Sequence, residues 1–224
     1  MGKTILTPKQ LDFLELIQSE SHITKRFYFT GGTALSEFYL KHRLSEDIDL
    51  FTEQSEVSQV VIKSFLRRKA STLGVKKIKE SQFLGLYSYK LLYDDGDELK
   101  VDFNYYPFPR IEKGVKFKNL EVDSIHDIAI NKIHTLFMKP RTRDYIDIYF
   151  ILKKEEYPMY KLLMDAKAKF DWDIDPVTLA SQCIKVTDIM EQEFPNMLVP
   201  FDRSEMDNFF LSEAKKLAGS IFKK

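Results

Sequence analysis

The sequence predicts a mixed α/β fold of the α+β kind, with a sheet-bearing first part and a helical second part. Three observations carry this. Two alternating runs, "SQFLGLYSYKLLY" and "ELKVDFNYYPF", are joined by "DDGD", and Asp-Gly between alternating runs is a strong hairpin signal. An aromatic strand-like run, "RFYFT", is broken by Gly31 and Gly32, returns to helical spacing in "TALSEFYLKHR", and leads to a short strand, "DIDLF". From Ser124 onward the apolar spacing is helical to the end. The expected division is a mixed-sheet core over residues 1–122 and a helical bundle over residues 123–224 packed on it.

The elements follow in order. Thr7 caps and Pro8 opens a first helix, "PKQLDFLELIQ", with Leu11, Leu14 and Ile17 on one stripe. After "DIDLF", Ser55 is placed to cap a helix in "EVSQVVIKSFLRRKAST" that Gly74 ends. The hairpin comes next, and "KGVKFKNLEVDS" has the pattern of a further short strand pair. Ser124 with Asp127 forms a capping box before "IHDIAINKIHTLFM", which Pro140 stops. Thr142 starts "RDYIDIYFILKK". Helices fit "PMYKLLMDAKAKF", "PVTLASQCIKVTDIM" after Asp175, and "EMDNFFLSEAKKLAGSIF" after Ser204.

Composition excludes several classes. Lys plus Arg and Asp plus Glu are 34 each, so net charge points to no polyanionic or polycationic partner, and any nucleic-acid surface is a local patch. The single cysteine, Cys183, rules out an internal disulfide and a cysteine-rich zinc site, and suits a reducing compartment. The opening residues hold no long apolar run of the kind a secretory leader or membrane span needs. The expectation is a cytoplasmic protein with no membrane partner.

The chemistry lies in the carboxylates. Residues two apart on a strand share a face, so Asp47 and Asp49 point one way while Ile48 and Leu50 point into the core. Like charges at that spacing repel, and a divalent cation between them reverses the sign. Hard oxygen ligands of this kind suit Mg²⁺, or Mn²⁺ in its place. A third carboxylate, Asp102 in "LKVDFNY", sits between two apolar neighbours and reaches the same face if its strand lies beside "DIDLF". Three such carboxylates can hold two metal ions about 3.5–4 Å apart, the spacing used in phosphoryl and nucleotidyl transfer. One ion would orient a triphosphate. The other would help deprotonate an acceptor hydroxyl, with Asp102 as ligand and general base.

Gly31 and Gly32 let the backbone approach a ligand at the strand-to-helix turn, where N–H groups favour phosphate. Thr33 adds a hydroxyl, and Ser45 either holds a phosphate oxygen or caps the turn. Taken singly, a Gly-Gly pair is an ordinary turn and Asp-x-Asp an ordinary solvated strand face. The order of strand, Gly-Gly, helix, Asp-x-Asp strand and Asp-bearing hairpin is what discriminates.

That order resembles the nucleotidyltransferase core of the DNA polymerase β superfamily. More narrowly, "GGTALSEFYLKHRLSEDIDLF" resembles the opening motif of the AbiEii/AbiGii toxin family, which includes the MenT toxins. The motif runs Gly-Gly-Thr-Ala-Leu, a helix, then Arg-x-Ser-x-Asp-[Ile/Leu]-Asp-[Leu/Phe]. It is met by Gly31, Gly32, Thr33, Ala34, Leu35, Arg43, Ser45, Asp47, Ile48, Asp49 and Leu50. A second block, "NKIHTLFMKPRTRDYIDIYFIL", resembles the family's later motif through Lys132, Arg141, Arg143, Asp144 and Asp147. The resemblance covers most of residues 25–152.

The resemblance implies Mg²⁺-dependent transfer of a nucleoside monophosphate from an NTP to an acceptor. In some relatives the acceptor is a tRNA 3′ end and a cognate antitoxin neutralises the enzyme. It implies metal binding by Asp47, Asp49 and Asp102, and catalytic neutralisation of the triphosphate by Lys132. Nucleotide contacts are implied for Gly31, Gly32, Thr33, Arg43, Ser45, Asp144 and Asp147. Asp144 and Asp147 share a helical face, so the pair either positions Lys132 or an arginine, or forms a structural ion cluster with Arg141 and Arg143. The open alternatives are a small-molecule or protein hydroxyl as acceptor, and a non-catalytic nucleotide-binding module.

The basic run Lys63, Arg67, Arg68, Lys69, Lys76, Lys77 and Lys79 can pair with an RNA backbone, or be a solvated helix face. His22, His42, His126 and His134 show no zinc spacing. Tyr105, Tyr106, Phe108, Phe209 and Phe210 can stack a base or fill the core.

Overall fold

A seven-stranded mixed sheet followed by a helical bundle accounts for the computed structural model, which describes residues 4–54, 57–83, 86–173 and 175–221. The chain divides into two compact units, Met1–Tyr39 with Leu44–Ser124, and Leu40–Arg43 with Ile125–Lys224. The second unit also claims four residues from the middle of the first.

In the first unit, α1 (Pro8–Gln18) begins as its sequence requires. Thr7 Oγ1 accepts from the Gln10 N–H at 3.2 Å, and Gln10 Oε1 accepts from the Thr7 N–H at 2.9 Å. A short α2 (Ser21–Thr24) precedes β1 (Tyr28–Thr30), and α3 (Gly31–Leu35) runs on into a π-helical turn, Ser36–Leu40. β2 (Ile48–Thr52) and α4 (Gln59–Lys69) follow. The cap of α4 is Ser58, and Ser55 lies outside the described residues.

Three long strands come next: β3 (Val75–Phe83), β4 (Leu86–Tyr93) and β5 (Glu98–Tyr105). β3 corrects the expectation. "VKKIKE" reads as part of a basic run and "SQF" as the start of the next strand, yet together they form the edge strand of the sheet, where lysines discourage pairing with another chain. The "DDGD" turn joins β4 to β5 as expected, with Gly96 at φ 88° and the Tyr93 N–H donating to Asp97 O at 3.0 Å. β6 (Lys116–Phe117) and β7 (Leu120–Val122) complete the order β3-β4-β5-β2-β1-β7-β6.

β2 is parallel to β5 and antiparallel to β1, which is parallel to β7. Alternation sets the two faces. Ile48, Leu50, Val101, Phe103, Tyr89 and Leu91 are all buried, and each fully buried apolar side chain of this size contributes about 1.5–3 kcal/mol. Their neighbours Asp49, Lys100, Asp102 and Ser88 lie on the other face, half-buried.

In the second unit, α5 (Ile125–Met138) packs with α6 (Thr142–Glu155), α7 (Met159–Phe170) and α8 (Pro176–Ile184), and α8 and α6 pack on α9 (Arg203–Ile221). Stripes such as Ile133 and Leu136 on α5, Ile148 and Ile151 on α6, and Met206 and Phe210 on α9 form the core. Asp202 rather than Ser204 caps α9, its Oδ1 accepting from the Ser204 and Glu205 N–H groups. Asp127 accepts at 2.8 Å from Lys169, a sealed ion pair. Among the described residues no helix is long and apolar enough to cross a membrane.

Candidate active site

The acidic centre is built by strand register. In the parallel pair β2·β5, Asp49 stands opposite Asp102, flanked by the buried pairs Ile48↔Val101 and Leu50↔Phe103. Side chains directly opposite share a face, so the sheet that buries those apolar pairs also sets the two carboxylates side by side. Asp47 immediately precedes β2. Its segment is held from behind. Gln10 Nε2 donates to Ser45 O at 2.8 Å and Glu46 O at 3.1 Å, so the capping residue of α1 also fixes the approach to the strand.

Thr33 is buried, and its hydroxyl donates to Asp47 O. The phosphate contact expected of Thr33 thus gives way to a positional one. The Ser45 hydroxyl makes no such bond among the described residues. Gly31, with φ 78°, sits under Asp49: a Cβ there would lie 2.1 Å from Asp49 Oδ2. The first glycine therefore makes room for a carboxylate rather than only turning the chain. Gly32 follows it in the first turn of α3.

Asp102 is oriented on both oxygens. Ser88 Oγ donates to Oδ1 at 2.6 Å, and Lys100 Nζ lies 2.8 Å from Oδ2. The same ammonium lies 3.3 Å from Asp47 Oδ2. Burial works against the charge on Lys100, yet Asp102 and Asp47 raise its pKa above the ordinary lysine value. Lys100 escapes sequence reasoning because one lysine among many carries no signal. Its only mark is the i,i−2 relation to Asp102, which puts both on one strand face.

Mg²⁺ fits this donor set. Among the described residues no three carboxylate, histidine or cysteine side chains gather around one point. However, Asp47 and Asp102, from separate segments, already converge on one cationic group, and Asp49 adjoins Asp102 by register. All three offer hard oxygen donors, the class Mg²⁺ takes.

Of the remaining charged residues of the two motifs, Arg43, Lys132, Asp144 and Asp147 form a buried ionic cluster in the second unit. Asp147, wholly buried, has both oxygens engaged. Oδ1 accepts from Arg43 Nε at 2.7 Å and contacts His42 Nε2 at 2.8 Å, while Oδ2 accepts from Arg43 Nη2 at 2.8 Å and Lys132 Nζ at 2.7 Å. Asp144 Oδ1 accepts from Lys132 at 2.6 Å, and its Oδ2 accepts from the Arg141 N–H at 3.0 Å. Burial alone would raise the pKa of Asp147. Lys132 and Arg43 instead hold it well below the carboxylate range, and Lys132 likewise lowers Asp144. Burial lowers the pKa of His42 despite Asp147 beside it, so the ring is neutral near pH 7 and donates from Nε2.

Two expectations shift here. Arg43, expected at the nucleotide, is almost fully buried and bound in a fork by Asp147. The buried arginine of this cluster is Arg43; Arg141 joins it from the exposed edge, its Nε donating to Asp144 Oδ2 at 3.3 Å, and Arg143 is half-buried. Asp144 and Asp147 together commit two of the three ammonium hydrogens of Lys132.

The other candidates disperse. In the basic run Lys63 pairs with Glu80, Lys69 with Glu20 and Lys76 with Asp94, while Arg67, Arg68, Lys77 and Lys79 are exposed. Only Lys63, Arg67, Arg68 and Lys69 lie on a helix. Phe210 is core, and Tyr106 packs against Phe51 and Phe108.

The chain is similar to known proteins along most of its length. A protein of Aquifex aeolicus (strain VF5), described only as uncharacterised, is 26% identical over 216 residues, covering 94% of this chain and 97% of that protein. The crystal structure of JHP933 from Helicobacter pylori superposes with a TM-score of 0.55 over 97% of this chain and 95% of its own, at 19% identity, a likeness of fold. The family profile described as "Nucleotidyl transferase AbiEii toxin, Type IV TA system" matches residues 13–216, through both units. From the glycine turn beneath Asp49 to the last helix, this chain belongs to the AbiEii nucleotidyl transferase family.

Proposed function

We propose that this protein transfers a nucleoside monophosphate from an NTP to a hydroxyl of an RNA acceptor, a tRNA 3′ end, in a Mg²⁺-dependent reaction. In this reading it is a toxin held in check by a cognate antitoxin. The observation that carries the chemistry is the register Asp49↔Asp102, with Asp47 and Asp102 sharing one cationic partner. Family membership supports the reaction class and the toxin role.

Asp47, Asp49 and Asp102 would hold Mg²⁺, which when bound neutralises triphosphate charge and acidifies the acceptor hydroxyl. The chain's own residues do the rest. Ser88 fixes the carboxylate plane of Asp102, which accepts the proton of the attacking hydroxyl. The hydroxyl oxygen bonds to the α-phosphorus as the bond to pyrophosphate breaks. Gly31, by its missing side chain, keeps Asp49 in place. Gly32 and the Ser45 hydroxyl are the proposed phosphate contacts.

The test is incubation of the purified protein with each α-labelled NTP in turn, Mg²⁺ and total RNA. The expected result is labelled RNA with the wild type, and loss of at least about a hundredfold with Asp49→Asn or Asp102→Asn, in line with removing a group that acts on the transition state. Folded protein that labels no RNA with any NTP refutes the RNA acceptor. Label on a small molecule or on protein moves the acceptor to that class.

A further inference from the structure

Resting on the metal reading above, we propose that Lys100 is a built-in counter-ion for the acidic centre: it bridges Asp47 and Asp102 while no divalent cation is bound, and gives up its place when one binds. The first ground is geometric. Among the described residues its ammonium is the one cationic group that both carboxylates share, at 3.3 and 2.8 Å, and it comes from the same strand face as Asp102. Like charges set side by side across strands destabilise a sheet, so the centre needs a cation to hold its shape.

The second ground is accessibility. The Lys100 side chain is 33% exposed, whereas Lys169, in its sealed pair with Asp127, is 1% exposed. Lys169 can only be structural. Lys100 stands on a flexible four-carbon stem at the edge of solvent and can swing away without opening the core.

The third ground lies across the strand. Lys100 stands opposite Lys90 of β4, which is exposed and pairs with Glu98 at 2.7 Å. A second ammonium on that side biases Lys100 toward the carboxylates. Metal ions arriving alone must therefore compete with an attached cation. A nucleotide brings phosphate oxygens that can receive the displaced ammonium, so metal and nucleotide are expected to bind cooperatively.

The experiment uses Mn²⁺ alone, with bound ion counted by electron paramagnetic resonance and stability read by thermal melting. Two part-buried ion pairs are lost on displacement, so Lys100→Met is expected to lower the half-saturating Mn²⁺ concentration roughly three- to tenfold. The same variant melts lower than the wild type without metal and gains more from its addition. Lys100→Gln, a second neutral replacement, follows it. Lys100→Arg behaves as the wild type, and Lys90→Met, which removes the neighbouring ammonium, shifts the half-saturating concentration in the same direction as Lys100→Met but by less.

If Mn²⁺ binds the wild type, Asp47→Asn abolishes that binding, and both neutral Lys100 variants bind no more tightly, the counter-ion role is overturned and the metal reading stands. If Mn²⁺ binds none of these proteins, both fall together.

Discussion

Replacing Gly31 by alanine probes the contact that ties the glycine turn to the acidic strand. Two costs arise at this position. The backbone has φ 78°, and an L-residue in that left-handed region loses roughly 1–2 kcal/mol. The added methyl would also lie 2.1 Å from Oδ2, 2.9 Å from Cγ and 3.1 Å from Cβ of Asp49, so the whole carboxylate arm must move. Overpacking of this kind costs about 1–3 kcal/mol. Against these stands a gain of about 0.4–1 kcal/mol from the stiffer unfolded chain. The net expectation is a loss of about 2–4 kcal/mol, read from guanidinium unfolding curves. A double variant separates the two costs. In Asp49→Ala the clashing oxygens are gone, so adding Gly31→Ala should then cost about 1–3 kcal/mol less than it does in the wild type. Gly31→Ala within about 0.5 kcal/mol of the wild type, or a cost unchanged by Asp49→Ala, would refute the close-contact argument.

Two further outcomes are expected in the second unit. Asp147→Asn strands a buried guanidinium and ammonium, and should cost about 3–5 kcal/mol in denaturant unfolding; a loss under about 1 kcal/mol would mean that the cluster is not load-carrying in the folded state. Acid should destabilise the protein in two windows. His42 has its pKa lowered by folding, so below about pH 6.5 the unfolded chain takes up the proton first and stability falls. Asp144 and Asp147 are also lowered, so their contribution, complete above the unfolded carboxylate value of about 3.9, is lost as pH drops below it. Each group adds a slope of at most about 1.4 kcal/mol per pH unit, and His42→Gln should flatten the first window only. A folding midpoint that rises between pH 6.5 and 5 would contradict this.

What could be read from the chain, and what could not, follows from the range of each signal. The hairpin turn, the helical stripes and the Asp-x-Asp face are local, since periods of 2 and 3.6 need only a few neighbouring residues. β3 escaped because an edge strand has one unpaired side and fills it with lysine and glutamate, erasing the alternation. Asp102 was legible as a carboxylate between two core residues, but its place beside Asp49 depended on which strands pair. The partnership of Arg43 and His42 with Asp147 spans more than a hundred residues of chain, and no local pattern encodes it. Thr33 and Arg43 carry family motif positions, yet their side chains serve the scaffold, because an atom buried against a carbonyl or carboxylate is already spoken for.

Leu40–Arg43 interrupts the first unit to join the second, and this bears on how the protein can be dissected. A fragment ending near Ser124 would keep Arg43 and His42 but lose the Asp147 carboxylate that both contact. A fragment starting near Ile125 would keep Asp147 with Lys132 and lose the fork that closes it. Recombination, split reporters and domain swaps cut at that seam are therefore expected to yield insoluble pieces, and joint expression of both fragments is the arrangement that restores the severed ionic clasp.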